Sequence, residues 1–272
     1  HTRSSAASDV YKRQGMLSGI FVLPGLAVGI TGSSVWLAFL VAALCILPAV
    51  LSKSELGTAM PKSGGTYVYI ERAFGPLFGT IAGIGLWLSL LLKSAFSLVG
   101  LSAYLYVVVN IDEAYTKAIA LLALLLIFLL NVFGLKKVEK TQLFIVSTSI
   151  ISLIVIIALG LTSFDTKLTE PVFSDGTNGF IAGVAFLYIS YAGVTKIAAI
   201  AGEITNPSKN LPLTMIISLF LITTIYCLVA LALVGNVEAS ILATDIKPIH
   251  TLFQTSGGDT VGLIAGVVGA LT

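Results

Sequence analysis

Long apolar runs recur along the chain and constrain its fold more than any other feature. They extend from Gly15 to Ile30, Val35 to Leu51, Leu77 to Val109, Ala118 to Phe133, Leu143 to Leu161, Gly179 to Ala201 and Leu213 to Gly235, and a last one, Val261 to Thr272, ends the sequence. A helix needs about 20 apolar residues to cross a bilayer, because its backbone must satisfy its own hydrogen bonds there. Charged residues are 10% of the 272, against roughly 25% in soluble domains, and mean hydropathy is +1.02. The sequence therefore predicts an all-α integral membrane protein in a lipid bilayer, with seven complete spans and part of an eighth. The third run would be close to ~50 Å long as one helix, so it must tilt or project beyond the hydrocarbon.

The ends read differently from the middle. His1 to Gln14 is polar, lacks the apolar core of a signal peptide, and meets apolar sequence abruptly at Gly15. It reads as a non-native or scar segment, leaving 15–272 as the transmembrane domain. The final run is too short for a span, so the expectation is a fragment at both ends.

A net charge of +2, dispersed along the chain, gives no reason to expect a nucleic-acid partner. His1 and His250 are the only histidines, so neither a metal site nor a cofactor is expected. Cys45 and Cys227 sit in apolar runs and read as small hydrophobes. Taking alternate loops as one side, Lys53, Lys62, Arg72, Lys136, Lys137, Lys140 and Lys209 fall together, against Lys117, Lys167 and Lys247 opposite. The richer side is expected to be cytoplasmic, so the first span runs outward and the sixth inward.

Two spans carry residues that interrupt helices. The first contains Ser18, Gly19, Pro24 and Gly25; the sixth contains Ser190, Tyr191, Gly193 and Lys196. Glycine costs about 1 kcal/mol within a helix and proline about 3. In the first span, close helix packing through Gly25 and Gly29 is an equal reading. Interrupted spans five apart, however, are the arrangement expected when a substrate sits at the midplane between inverted repeats, here 15–162 and a partial 179–272.

Lys93 lies at the centre of the third span, on one helical face with Ser89, Ser97, Gly100 and Tyr104. A cation at that depth costs roughly 2.5–3.5 kcal/mol unless it faces a cavity or partner, which makes Lys93 and Ser97 candidates for lining or tuning a pocket. Lys196 is a further candidate, with snorkelling toward the nearby cytoplasmic end as its alternative. Ser147, Thr148, Ser149 and Ser152 in the fifth span read mainly as groups that bond backbone or neighbouring helices. Between spans two and three, Ser63, Gly64 and Gly65 predict a turn, and Tyr67, Ile70 and Phe74 share a face of an interfacial helix. Asn206 and Pro207 are expected to end the sixth span, and Pro212 to start the seventh.

Three blocks, "SGIFVLPG", "ELGTAMPKSGGTYVYIERAFGPLFG" and "YAGVTKIAAIAGEITNPSKNLP", resemble the amino acid permeases of the APC (amino acid–polyamine–organocation) superfamily. The resemblance runs from about Gly15 to Gly235 and implies a LeuT-type fold of two inverted five-helix repeats, usually of twelve spans. It implies an amino acid substrate, carried by alternating access, with coupling to H+ or Na+ open. By motif, Ser18, Gly19 and Ile20 match the unwound part of the first helix, whose amides bind the substrate carboxylate. Tyr191, Ala192 and Gly193 match the unwound part of the sixth, whose carbonyls receive the ammonium while an aromatic ring helps close the site. The plasma membrane is the expected location.

Other classes fit less well. A membrane-embedded enzyme would need catalytic groups at depth, yet there is no H-E-x-x-H and no carboxylate pair within a span. A channel or nutrient sensor that keeps a transporter fold is the open alternative, since fold does not fix function.

Overall fold

The computed structural model describes residues 18–62, 64–109, 115–133, 135–169, 176–245 and 247–257. The segment 1–14, the final run Val261 to Thr272 and Ser63 of the expected turn lie outside the described residues. A 3-10 turn, Ser18–Phe21, leads into α1 (Leu23–Thr31), and a second, Gly32–Ser34, into α2 (Val35–Ala59). Then come α3 (Thr66–Phe74), α4 (Pro76–Val109), α5 (Thr116–Phe133) and α6 (Leu135–Thr162). After a 3-10 turn, Thr166–Thr169, follow α7 (Gly176–Tyr188), a turn at Ile189–Tyr191, α8 (Ala192–Thr195) and a 3-10 stretch, Lys196–Glu203. The described chain closes with α9 (Pro207–Val234), α10 (Ala239–Leu242) and α11 (Pro248–Gly257).

α4 and α5 match the third and fourth apolar runs closely, whereas α2, α6 and α9 extend beyond theirs. The reason is physical: an apolar run stops at the hydrocarbon edge, but the helix continues among polar residues such as Lys136 and Lys137 of α6. Among the described residues, four stretches are long and apolar enough to cross a membrane: Leu23–Ala59, Pro76–Ala95, Gly176–Ala199 and Pro207–Val234. The first is broken at Gly32, where φ 62° and ψ −142° demand a residue without a side chain.

Side-chain contacts fix the direction of the packed helices. Gly57 of α2 lies against Leu211 of α9, Phe39 against Tyr226, and the Cys227 thiol donates to the Trp36 carbonyl at 3.5 Å. Rising numbers on one helix meet falling numbers on the other, so α2 and α9 are antiparallel. The pairs Phe39 with Tyr191 and Gly57 with Ala198 rise together, so α2 runs parallel to the sixth span. Gly160 of α6 abuts Ala232 of α9, and the Asn236 amide donates to the Gly160 carbonyl at 2.7 Å. These directions agree with the alternation that the Lys and Arg distribution implies.

One local expectation is corrected. Pro212 does not start the seventh span; Pro207 does, after Asn206 turns the chain in the left-handed region at φ 49°. Proline needs no N–H in a first turn, so Pro207 already fills that role and Pro212 falls inside α9. The helix expected between spans two and three is present as α3, with Tyr67 and Phe74 facing outward and Tyr69 docking inward. Its hydroxyl donates to the Ala198 carbonyl at 3.2 Å, and burial holds its phenol above the usual pKa. Beside it Gly64 N–H donates to the Ala199 carbonyl at 3.1 Å, and Gly65, at φ 56°, passes so close that an added Cβ would stand 3.0 Å from Ala199. The loop between spans two and three is thereby pinned to the inner half of span six.

Candidate functional site

α1 and α7 meet at Gly183, where an added Cβ would collide with the Thr31 methyl. Ser33, just after α1, donates to the Leu168 carbonyl, just before α7, at 3.3 Å. The end of α1 therefore adjoins the approach to α7, and the two helices run in opposite directions. Val22 lies nine residues before Thr31 and Ile189 six after Gly183, roughly 13 and 9 Å at 1.5 Å per residue. The interruptions of the first and sixth spans thus fall within about one helical turn of the same depth.

At the first interruption, Val22 leaves the helical region at φ −123° between the Ser18–Phe21 turn and α1. No side chain caps α1, and Pro24 occupies its first turn. The backbone N–H groups of that turn carry the partial positive end of the helix dipole. Part of the freed backbone is held by α4: Tyr104, fully buried, donates to the Phe21 carbonyl at 2.7 Å, and Gly100 lies against Val22. Ser18, Gly19 and Ile20 all fall in the 3-10 turn, and Ile20 is fully buried.

The sixth span is tightened rather than unwound, which corrects the expected geometry. Tyr188, Tyr191, Ala192, Thr195 and Lys196 all keep right-handed helical angles, and two 3-10 segments flank the single turn of α8. A 3-10 turn bonds each carbonyl three residues on rather than four, with poorer geometry, so its carbonyls remain better acceptors for an outside donor. Gly193 is buried and Ala192 half-buried.

Tyr191 is placed differently from its expected role. Its hydroxyl donates to the Phe39 carbonyl at 3.0 Å, and its ring packs at 5.6 Å on Tyr226. The ring is committed to the interface with α2 and α9 in this structure, so it does not close the site. Ser190 emerges instead: it is 6% exposed, and its hydroxyl has no hydrogen-bond partner among the described residues. Other span hydroxyls, such as Thr31, Ser94 and Thr223, donate to the carbonyl four residues back. The sequence marks Ser190 as polar in an apolar run but cannot show that this local bond is missing.

Lys93 and Ser97 share the α4 face that Gly100 and Tyr104 turn toward the first interruption, at spacings of four, three and four. Lys93 is half-buried and Ser97 exposed. Lys196 is half-buried at the start of the inner 3-10 stretch. Ser149 of α6 is buried.

Together these features define a polytopic helical membrane protein organised around two interrupted helices. The family described as amino acid permease matches residues 4–272, and the chain belongs to that family, with the LeuT-type fold of the APC superfamily. It is 28% identical over 268 residues to the serine/threonine exchanger SteT of Bacillus subtilis (strain 168), covering 93% of this chain and 60% of the relative. It is 29% identical to the branched-chain amino acid permease BcaP of Lactococcus lactis subsp. cremoris (strain MG1363), covering 88% and 57%. It is 28% identical to the vacuolar cationic amino acid transporter 8 of Arabidopsis thaliana, covering 81% and 40%. The chain spans about 40–60% of the length of these relatives. All three are named as transporters, permeases or exchangers rather than enzymes, and the chain is an integral, multi-pass membrane protein.

Proposed function

We infer that the protein moves amino acids across a membrane, the plasma membrane being the expected one, as a secondary transporter working by alternating access. One observation carries the reading: two interrupted spans packed at one depth, with the buried Ser190 hydroxyl lacking a partner among the described residues at the second. Exposed backbone polarity is tolerated within a membrane only where it meets protein, water or a ligand. An α-amino acid supplies both complements. Its carboxylate suits the amides of the Ser18–Ile20 turn and the α1 N-terminus, and its ammonium suits carbonyls around Tyr191, Ala192 and Gly193. Lys93, Ser97 and Lys196 line or tune the inner side of that pocket. The printed names of the relatives, which include serine/threonine, branched-chain and cationic amino acid carriers, support the amino acid class and leave the side chain open.

Drive by a proton or sodium gradient, or by exchange, completes the proposal. The test is uptake of labelled amino acids into proteoliposomes holding the full reading frame, under imposed proton or sodium gradients or with amino acid preloaded inside. Concentrative uptake that collapses with the gradient, or that depends on internal amino acid, is expected; passive flux alone would favour a channel, and binding without flux a sensor. Gly193→Trp should abolish uptake by filling the pocket, and normal uptake in that variant would overturn the site.

A further inference from the structure

α3 meets two neighbours in different ways. It reverses onto α4 at Gly75, where φ is 92°: Gly75 N–H donates to the Glu71 carbonyl at 2.9 Å, and Gly79 N–H to the Gly75 carbonyl at 3.1 Å. Residues four and eight positions either side of Gly75 then face each other. A Cβ added at Gly79 would stand 2.7 Å from that of Glu71, and one added at Gly83 would stand 3.1 Å from the Tyr67 ring. Beside the reversal, the Phe74 and Phe78 rings pack edge to face at 6.3 Å. Side chains of α3 thus fill the spaces that two glycines leave on α4, and neither helix slides past the other without a collision.

The contact with span six is of another kind. Tyr69 donates to the Ala198 carbonyl at 3.2 Å and Gly64 N–H to the Ala199 carbonyl at 3.1 Å, with Gly65 passing close to Ala199. The two acceptors lie five and six residues past Gly193, roughly 8–12 Å toward the cytoplasm. A hydrogen bond at the membrane edge is exchanged for one to water at small net cost, whereas parting an interlocked helix pair loses all its contacts together. The junction with span six is therefore the one that can open and close repeatedly.

We propose that α3 is built into the α4 body and acts as a cytoplasmic latch on span six, engaged in this structure and released when the site opens inward. Release breaks the Tyr69–Ala198 and Gly64–Ala199 bonds and carries Ala199 away from Gly65, while α3 keeps its seat on Gly79 and Gly83. The latch rests on the alternating-access reading above, since it needs an inner half of span six that moves against α4.

Two disulfides separate these motions in the full reading frame, with Cys45 and Cys227 changed to alanine. Gly65→Cys with Ala199→Cys spans the latch, where the Cβ atoms would be 3.0 Å apart and need about half an ångström of relaxation to suit a disulfide. Tyr67→Cys with Gly83→Cys joins α3 to α4 at a Cβ separation of 3.9 Å, within the disulfide range. Uptake of labelled serine, leucine and lysine into proteoliposomes is measured before and after oxidation, with crosslinking followed by mass spectrometry. Closing the first disulfide should cut uptake at least about tenfold, reversibly with dithiothreitol, and closing the second should leave it within about twofold. Undiminished uptake with the first disulfide closed, or loss of uptake with the second closed, overturns the latch and leaves the transport reading standing. No uptake by the unmodified protein overturns both. A side chain at Gly65 strains a backbone at φ 56°, so Tyr69→Phe supplies a second arm. Cytoplasmic maleimide labelling of Ala199→Cys should then quicken about two- to tenfold, and equally when the α3–α4 disulfide is closed. An unchanged rate overturns the latch without any cysteine at Gly65.

Discussion

Ser190 shows how one residue can separate stability from function. A buried hydroxyl without a partner costs about 1–3 kcal/mol, which the fold bears at the point where the sixth span tightens. If a substrate satisfies that group, Ser190→Ala removes a penalty from the empty protein and a bond from the loaded one. Thermal stability of the empty protein should hold or rise, while KM for uptake increases by about five- to thirtyfold, the equivalent of 1–2 kcal/mol. A fall in melting temperature with unchanged KM would make the serine purely structural. Thr31 provides the contrast, because its hydroxyl already bonds the Ala27 carbonyl at 3.0 Å and its methyl is what meets Gly183. Gly183→Ala should therefore destabilise the protein by roughly 1–3 kcal/mol through overpacking. Thr31→Ser deletes the obstructing methyl and keeps the hydroxyl, so the double variant should recover much of the loss in a thermal melt. Independent, additive effects would show that this contact does not set the spacing of α1 and α7.

Between elements, the most specific join is the docking of α3 and its preceding glycines on the inner half of span six. A 3-10 stretch leaves carbonyls inclined outward, and here Ala198 and Ala199 receive donors from Tyr69 and Gly64. Tyr69→Phe keeps the packing and removes one donor, which should cost about 0.5–1.5 kcal/mol. With a cysteine introduced at Ala199, maleimide labelling from the cytoplasmic side should quicken in the Phe variant, and an unchanged rate would mean that the bond does not hold this segment closed. How far these joins can be read from sequence depends on their physics. Apolar runs located the spans because burial in lipid is a property of composition. Gly64 and Gly65 marked a turn because their backbone angles exclude side chains. The docking of Tyr69, by contrast, joins residues 129 positions apart, and no periodicity within α3 distinguishes it from the outward Tyr67. Likewise Ser18, Gly19, Pro24 and Gly25, and Ser190, Tyr191, Gly193 and Lys196, mark the two interruptions by residue type, whereas Ile20 and Ala192 enter only through the family resemblance. The inward turn of the Tyr191 ring was not legible, because it depends on where α2 and α9 pass.

For the whole molecule, two independent arguments give one topology. Lysine and arginine placement orients the spans through the energetics of insertion, while contact pairs orient helices relative to one another through packing. The parallel run of α2 with span six, and the antiparallel run of both α2 with α9 and α1 with α7, are what alternate crossing requires. Exposure supports the same picture: only 6% of the Pro76–Ala95 stretch is buried, with Trp87 and Leu92 about 60% exposed, so that face needs lipid or further protein against it. Cysteine mapping tests the topology as a unit. Cys45 and Cys227 are the two native thiols and both lie within spans, so a background with both changed to alanine leaves the loops to be probed singly. Thr166 and Thr205 are exposed and flank opposite ends of span six. Cysteine at Thr166 should react with an impermeant maleimide in intact cells, whereas cysteine at Thr205 should react only after the membrane is opened. The reverse pattern would invert the whole assignment and move Lys93 and Lys196 to the outer side of the interruptions. Labelling of both sites from one side would break the alternation itself, and with it the common depth on which the paired site depends.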